Sequence, residues 1–191
     1  MEDDGRREQV LGAALLTFAR YGYKKTSMED VARAADISRP GLYFLFESKQ
    51  KLFREAVTQA LDADVEAARR SLTAPDRPLP ERLIEAFDRW TGRYLGPMAR
   101  EVAVLRETHP ELLGSVVVDY PRRFLEMVTA AVSADLPARS AVTAADVART
   151  LVSTARGIKE EVTTRDEFVA RMTVAVTLVL SGATTRTERP A

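Results

Sequence analysis

Between Ile37 and Phe53 the chain reads ISRPGLYFLFESKQKLF. Among the side chains in this stretch that can hold phosphate are the guanidinium of Arg39, the phenol of Tyr43 and the ammonium of Lys49. Arg39 also has the planar fork that fits the O6 and N7 edge of guanine. Pro40, Gly41 and Phe44 stand beside them, and Gly41 lets a backbone approach another molecule closely. Covalent chemistry has far less to work with. The chain has no Cys and one His, and it shows neither a glycine-rich phosphate loop nor a carboxylate pair at catalytic spacing. An enzyme therefore has no support in the residues, and a transition-metal site would lack soft ligands. No metal and no cofactor is expected. His109, just before Pro110 at a helix boundary, reads as a surface or capping residue.

The elements that must position these groups are helical. Val10, Leu11, Ala14, Leu15 and Phe18 recur on one face of a helix, which Gly22 is suited to end. Thr26 stands three residues before Glu29, a capping-box pattern, so a short second helix is expected over about 27–35. Asp36-Ile37-Ser38 breaks it. Ser38 is a good N-cap and Pro40 fits a first turn, which places a third helix at about 39–46. Ser48 then caps a fourth, from about 49 to 72. Two short helices joined by a tight turn make a helix-turn-helix over about 27–46, with Leu42 and Phe46 on the inner face. The aromatic front and basic ends of the third helix then suit a DNA groove edged by phosphates.

Here the sequence resembles a family. TSMEDVARAADISRPGLYFLFESKQKLF (26–53), preceded by LGAALLTFARYGYKK (11–25), is similar to the DNA-binding domain of the TetR family of transcriptional regulators. The spacing of Phe18, Gly22, Thr26, Ala32, Ser38, Leu42-Tyr43, Phe46, Lys49 and Leu52-Phe53 carries the resemblance, over roughly residues 6–55. It implies that Thr26 caps the second helix and touches a backbone phosphate. It further implies that Ser38, Arg39, Pro40, Gly41 and Phe44 face the major groove, and that Tyr43 and Lys49 hold phosphates. Two positions depart from the family pattern. Asp36 replaces the usual turn glycine, and Asp tolerates the left-handed conformation better than most residues. Leu45 stands where histidine is frequent, which puts a polar DNA or capping contact there in doubt.

Charge is informative only locally. The 28 Lys and Arg balance 28 Asp and Glu over 191 residues, so the total gives no hint of nucleic acid. Residues 20–55 hold eight basic and five acidic residues, a weak positive patch, whereas 56–191 are net −1. No apolar run reaches the ~18 residues of a membrane span. MEDDGRRE is not a signal peptide, and the lack of Cys fits a cytoplasmic protein.

The expected organisation is an all-α chain of about nine helices. A helix-turn-helix domain spans 1–50, a larger helical domain 51–182, and a flexible tail 183–191. Further helices are expected at about 81–95, 97–108, 111–133, 144–162 and 165–181. Pro121 should kink or divide the 111–133 segment, and Thr143 with Asp146 and Thr164 with Glu167 look like caps. The resemblance implies that the larger domain binds a small molecule and dimerises. Phe87, Trp90, Tyr94, Met98, Leu105, Phe124 and Met127 would line a pocket for an apolar or aromatic ligand. Leu151, Val152 and Ala155, with Gly157, and Val169, Met172, Val176 and Val179 form two stripes for a homodimer interface. The expected activity is that of a ligand-responsive repressor binding a palindromic double-stranded operator. The alternative is a DNA-binding regulator without a small-molecule inducer, controlled by a protein partner.

Overall fold

A computed structural model describes residues 2–92, 95, 110–137, 140 and 142–184. Every regular element among them is an α-helix: α1 (Glu2–Tyr21), α2 (Met28–Ala34), α3 (Arg39–Leu45), α4 (Lys49–Leu72), α5 (Leu79–Trp90), α6 (Pro110–Leu113), α7 (Val116–Asp135), α8 (Ala144–Glu161) and α9 (Arg165–Thr184). The helix expected at 97–108 lies outside the described residues, as do Tyr94, Met98, Leu105 and His109.

Local chemistry explains most helix ends. Gly22 closes α1 at φ 81°, a conformation that favours glycine. Ser38 caps α3 by accepting from the Gly41 amide at 3.1 Å, with Pro40 in the first turn. Ser48 caps α4 through the Lys51 amide at 3.1 Å. Thr143 and Asp146 form a reciprocal capping box at α8. Thr164 and Glu167 exchange the same kind of bonds at the start of α9. The cap of α2 differs from expectation. Ser27, not Thr26, accepts from the Asp30 amide, and the Asp30 carboxylate in turn accepts from the Ser27 amide. The hydroxyl and amide of Ser27 hold the Asp30 carboxyl below the usual carboxylate range.

Pro121 does not divide the 111–133 segment. It sits inside α7, and the break falls at Gly114, which adopts φ 59° between α6 and α7. Only the sixth residue of α7 lacks an amide, so one hydrogen bond is lost near a helix end. A glycine in the left-handed region stops a helix outright.

The chain divides into two compact units. The first runs to Ala63 and takes in the segment that ends at Val117; the second holds Asp64–Leu95 and everything from Val118. In the first, Val10, Ala14 and Phe18 of α1 meet Val31 of α2, Leu42, Phe46, and Leu52, Phe53 and Ala56 of α4. Phe18, Tyr23 and Phe53 form an aromatic triad with ring centroids 5.0–5.8 Å apart. A domain ending at residue 50 would leave out Leu52, Phe53, Ala56 and Val57, all buried in this core.

In the second unit α9 packs on α8 and on α5. The core holds Phe87, Phe124, Leu151, Phe168, Met172 and Val176. Arg165, at the start of α9, clasps Asp88 of α5 in a two-pronged pair, Nε to Oδ1 at 2.7 Å and Nη2 to Oδ2 at 2.5 Å. Gly92 lies against this clasp. A Cβ there would come within 2.6 Å of Asp88 Oδ1 and 3.0 Å of the Phe168 ring, so the position demands the absence of a side chain.

Candidate nucleic-acid interface

The turn between α2 and α3 sets the surface. Asp36 adopts φ 53°, the one positive φ outside glycine among the described residues. Around it the Ile37 amide donates to Ala32 O at 3.0 Å and the Asp36 amide to Arg33 O at 3.3 Å. These two bonds make a Schellman close to α2, with Asp in the place that glycine usually fills. The chain then reverses within three residues. Leu42 and Phe46 anchor α3 in the first core.

That anchoring fixes what α3 shows to solvent. Ser38, Arg39, Pro40, Tyr43 and Phe44 are exposed, and Gly41 is half-buried. Phe44 is 87% exposed, an aromatic side chain left in water by its own fold. The Arg39 guanidinium lies 5.8 Å from the Tyr43 ring centroid and 3.9 Å from Glu29 of α2. Both contacts are exposed and so weak enough to be exchanged for a stronger anion. Gly41 has a local reason to be small as well: a Cβ would press to 3.1 Å on the Ser38 Oγ that caps the helix. Lys24 and Lys25, in the loop before α2, are exposed cations next to this surface in sequence. Sequence reasoning does not single them out, although the doubled lysine before a helix cap is a signal that could have.

Two expected contacts face inward. Thr26 is 2% exposed, and its hydroxyl donates to Gly22 O at 2.8 Å, so it braces the loop and neither caps α2 nor presents itself to a phosphate. Lys49 points its ammonium at Tyr23 O (3.0 Å) and Thr26 O (3.1 Å), 4.5 Å from the Tyr23 ring centroid. It ties the start of α4 to the α1–α2 loop, and a phosphate would have to compete with both carbonyls. Leu45 departs from the frequent histidine without leaving its carbonyl uncapped, because Arg7 of α1 donates to it at 3.0 Å.

Comparison with known proteins bears on this domain first. The model for bacterial regulatory proteins of the tetR family matches residues 10–56, which span α1, the whole helix-turn-helix and the start of α4. Through these residues the chain carries a DNA-binding domain of the TetR type. The Escherichia coli K12 protein named "Probable acrEF/envCD operon repressor" is 30% identical over 123 residues, covering 59% of this chain and 53% of that one. The "HTH-type transcriptional activator FasR" of Mycolicibacterium smegmatis is 35% identical over 86 residues, 44% and 39% of the two chains. The chain thus spans about half the length of the first relative and less of the second. Solved structures extend the likeness of fold to nearly all of the chain. A TetR-family transcriptional regulator from Agrobacterium tumefaciens superposes with a TM-score of 0.72 at 19% identity, covering 93% and 98%. The TetR-family regulator PfmR from Thermus thermophilus gives 0.64 at 24% identity, covering 93% and 99%.

Outside this domain lie the residues expected to line a pocket and a dimer interface. Phe87, Trp90 and Phe124 are packed on one another, Trp90 against Phe124 at 4.9 Å and Phe87 against Phe124 at 5.2 Å. Met127 leans on the same core. These four residues pack together, while Tyr94, Met98 and Leu105, expected beside them, lie outside the described residues. The grooves found in the second unit lie elsewhere. One of about 280 Å³ is lined by Arg70, Ser71, Arg77, Glu85 and Arg89, and one of about 430 Å³ by Arg77, Glu81, Ile84 and Asp88, among others. Their walls are charged, unlike the apolar pocket expected from sequence.

The residues expected to form the interface stripes lie mostly inward in the single chain. Leu151, Ala155, Met172 and Val176 are buried inside the second unit's own core, where α8, α9 and α5 meet. Val152, Val169 and Val179 are half-buried against it, and Gly157 is exposed. The outward apolar residues of α9 are instead Val174, 59% exposed, and Leu178, 67% exposed. Ala170, Thr173, Thr177 and Ser181 surround them. The hydroxyls of Thr173 and Thr177 donate back to their own helix, to Val169 O and Thr173 O at 2.8 Å. Glu167 and Arg171, the latter paired with Glu161, border this outer strip at its N-terminal end, and part of the strip's polarity is already satisfied.

Proposed function

We propose that the protein is a sequence-specific DNA-binding transcriptional regulator, a repressor that binds a palindromic operator as a homodimer in the cytoplasm and releases it on binding a small ligand. The observation that carries this reading is the outward face of α3, where Arg39, Tyr43 and the 87%-exposed Phe44 stand on a helix held rigidly by Leu42 and Phe46. A soluble fold gains nothing by leaving such an aromatic in water unless a partner covers it. In a major groove Phe44 would meet thymine methyl groups, Arg39 a guanine edge, and Tyr43 a phosphate. Lys24 and Lys25 would add phosphate contacts. Thr26 and Lys49 are assigned to the scaffold.

A palindrome requires two copies, with recognition helices about 34–36 Å apart or a multiple of it. The exposed apolar strip of α9 around Val174 and Leu178 is the surface we assign to that pairing. Val174→Glu with Leu178→Glu should give a monomer by analytical ultracentrifugation and abolish tight operator binding while α3 stays folded. The repressor sense follows the Escherichia coli relative's printed name, and ligand release is an inference from the family resemblance.

A second reading has its own support. The mutual packing of Phe87, Trp90 and Phe124, with charged walls around the grooves of the second unit, favours a regulator controlled by a protein partner without a small-molecule inducer. Selection of bound sequences from random duplex DNA, at a stated salt concentration, tests the reading that both share. Recovery of an inverted repeat supports it. Folded protein that recovers no motif defeats it. Thermal shifts against apolar and aromatic compounds then separate the two.

A further inference from the structure

Arg7 sits in the polar N-terminal run of α1, where nothing in the sequence marks it. In the structure its guanidinium makes three contacts to two other helices. It donates to Leu45 O at 3.0 Å, lies 4.4 Å from the centroid of the Phe46 ring, and pairs with Glu55 of α4. Each contact has a physical reason. Leu45 is the last residue of α3, so its carbonyl has no partner within the helix. Phe46 leaves the helix with extended backbone (φ −139°, ψ 115°) and buries its ring completely, which gives the guanidinium a flat apolar face to cover. Glu55 neutralises a cation that is partly removed from water.

From this geometry we propose that Arg7 is a positioning residue for the recognition helix. It fixes the C-terminal end of α3 against α1 and α4, as Ser38 fixes its N-terminal end. The inference rests on the proposed DNA-binding function, and it adds a residue that touches no base and no phosphate. A helix of seven residues has little stiffness of its own. Its angle is set by its two ends and by Leu42. Without Arg7 the far end would keep only the buried Phe46 ring as its anchor, and the outward side chains would lose register with the base edges more than with the phosphates. Loss of specificity therefore exceeds loss of overall affinity. Because Glu55 belongs to α4, a rotation of α4 about its axis would also pull on Arg7 and through it on Leu45. This gives α4 a direct mechanical hold on α3.

The competing role for an arginine near such a surface is a phosphate contact, and the two roles predict opposite signs. For positioning, Arg7→Gln lowers the ratio of operator to random-duplex binding about tenfold or more and leaves the salt slope of operator binding unchanged. Glu55→Gln acts in the same direction, because the clasp loses its anchor. For a phosphate contact, Arg7→Gln shallows the salt slope by about one and weakens both DNAs equally. Glu55→Gln then frees the guanidinium and tightens binding to both. Hydrogen exchange on the DNA-free protein provides a readout that does not depend on DNA. Positioning requires faster exchange across residues 42–47 in both variants, with 28–34 unchanged. If the parent protein selects no motif from random DNA, the functional reading fails, and the exchange result still decides whether Arg7 holds α3. Should Arg7→Gln not fold, Glu55→Gln carries the test alone. Unchanged specificity and unchanged exchange in a folded Glu55→Gln overturn the proposal.

Discussion

Phe44 and Phe124 are the same residue with opposite surroundings. Phe44 stands 87% exposed on α3, while Phe124 is 1% exposed between Phe87 and Trp90 on α7. The two units differ in the same way. The first buries a compact core and leaves an aromatic and several cations facing water. The second turns the large aromatics among its described residues inward and shows outside ion pairs, Val118, Val142 and the apolar strip of α9. An exposed aromatic that no packing requirement explains points to a partner, whereas a buried one is accounted for by its own neighbours. Phe44 of α3 therefore calls for a partner, whereas the aromatics of the second unit are satisfied by their own packing.

Exchanging the roles of the two phenylalanines is the strongest way to break that comparison. Phe124→Ala should destabilise the protein by about 3–5 kcal/mol, read by urea unfolding, because it empties a packed site. Phe44→Ala should change stability by no more than about 0.5 kcal/mol, yet weaken operator binding at least tenfold. A Phe44→Ala variant that unfolds early but still binds DNA would reverse the assignment.

A middle-sized effect sharpens the picture of the second unit. Asp88→Asn should cost about 1–2 kcal/mol by thermal unfolding, since the two-pronged pair with Arg165 is half open to solvent and correspondingly screened. Gly92→Ala should cost at least as much, because its Cβ would displace Asp88 Oδ1. The double variant should fall well short of the sum, as both changes break one clasp. Full additivity would mean that Gly92 matters for another reason.

The smallest effect concerns acid. Bonds from the Ser27 hydroxyl and amide depress the Asp30 carboxyl, those from Thr143 depress Asp146, and those from the Thr163 and Thr164 amides and the Thr164 hydroxyl depress Glu167. A carboxyl lowered on folding stabilises the native state above its unfolded pKa, and that contribution fades as pH falls through the folded value. Stability should therefore decline below the ordinary carboxylate range. Asp30→Asn should flatten this acid limb slightly in pH-dependent melting curves.

Much of the frame was legible because helix ends announce themselves chemically. Ser38 with Pro40, Thr143 with Asp146, and Thr164 with Glu167 mark starts that the structure places within two residues of expectation. The left-handed Asp36 followed from the resemblance, which puts a glycine at this turn, and from the tolerance of Asp for that conformation. What failed to show in the sequence has identifiable causes. Thr26–Glu29 and Ser27–Asp30 have the same spacing, and only burial of Thr26 separates them. Periodicity places Leu151 and Met172 on apolar faces without naming what covers those faces, and the monomer core claims them. Arg7 meets partners 38 and 48 residues away, a juxtaposition that no local pattern encodes.

The central claim is that side chains on the outer face of α3 read bases, and Arg39 is the most direct place to test it. Selection from random duplex DNA should be run in parallel with the parent protein and with Arg39→Ala. The account predicts an inverted repeat for the parent, and loss of preference at one guanine in each half-site, symmetrically, for the variant. Every other position should keep its preference. An unchanged motif from a folded Arg39→Ala variant would contradict the assignment and move base reading elsewhere on the protein.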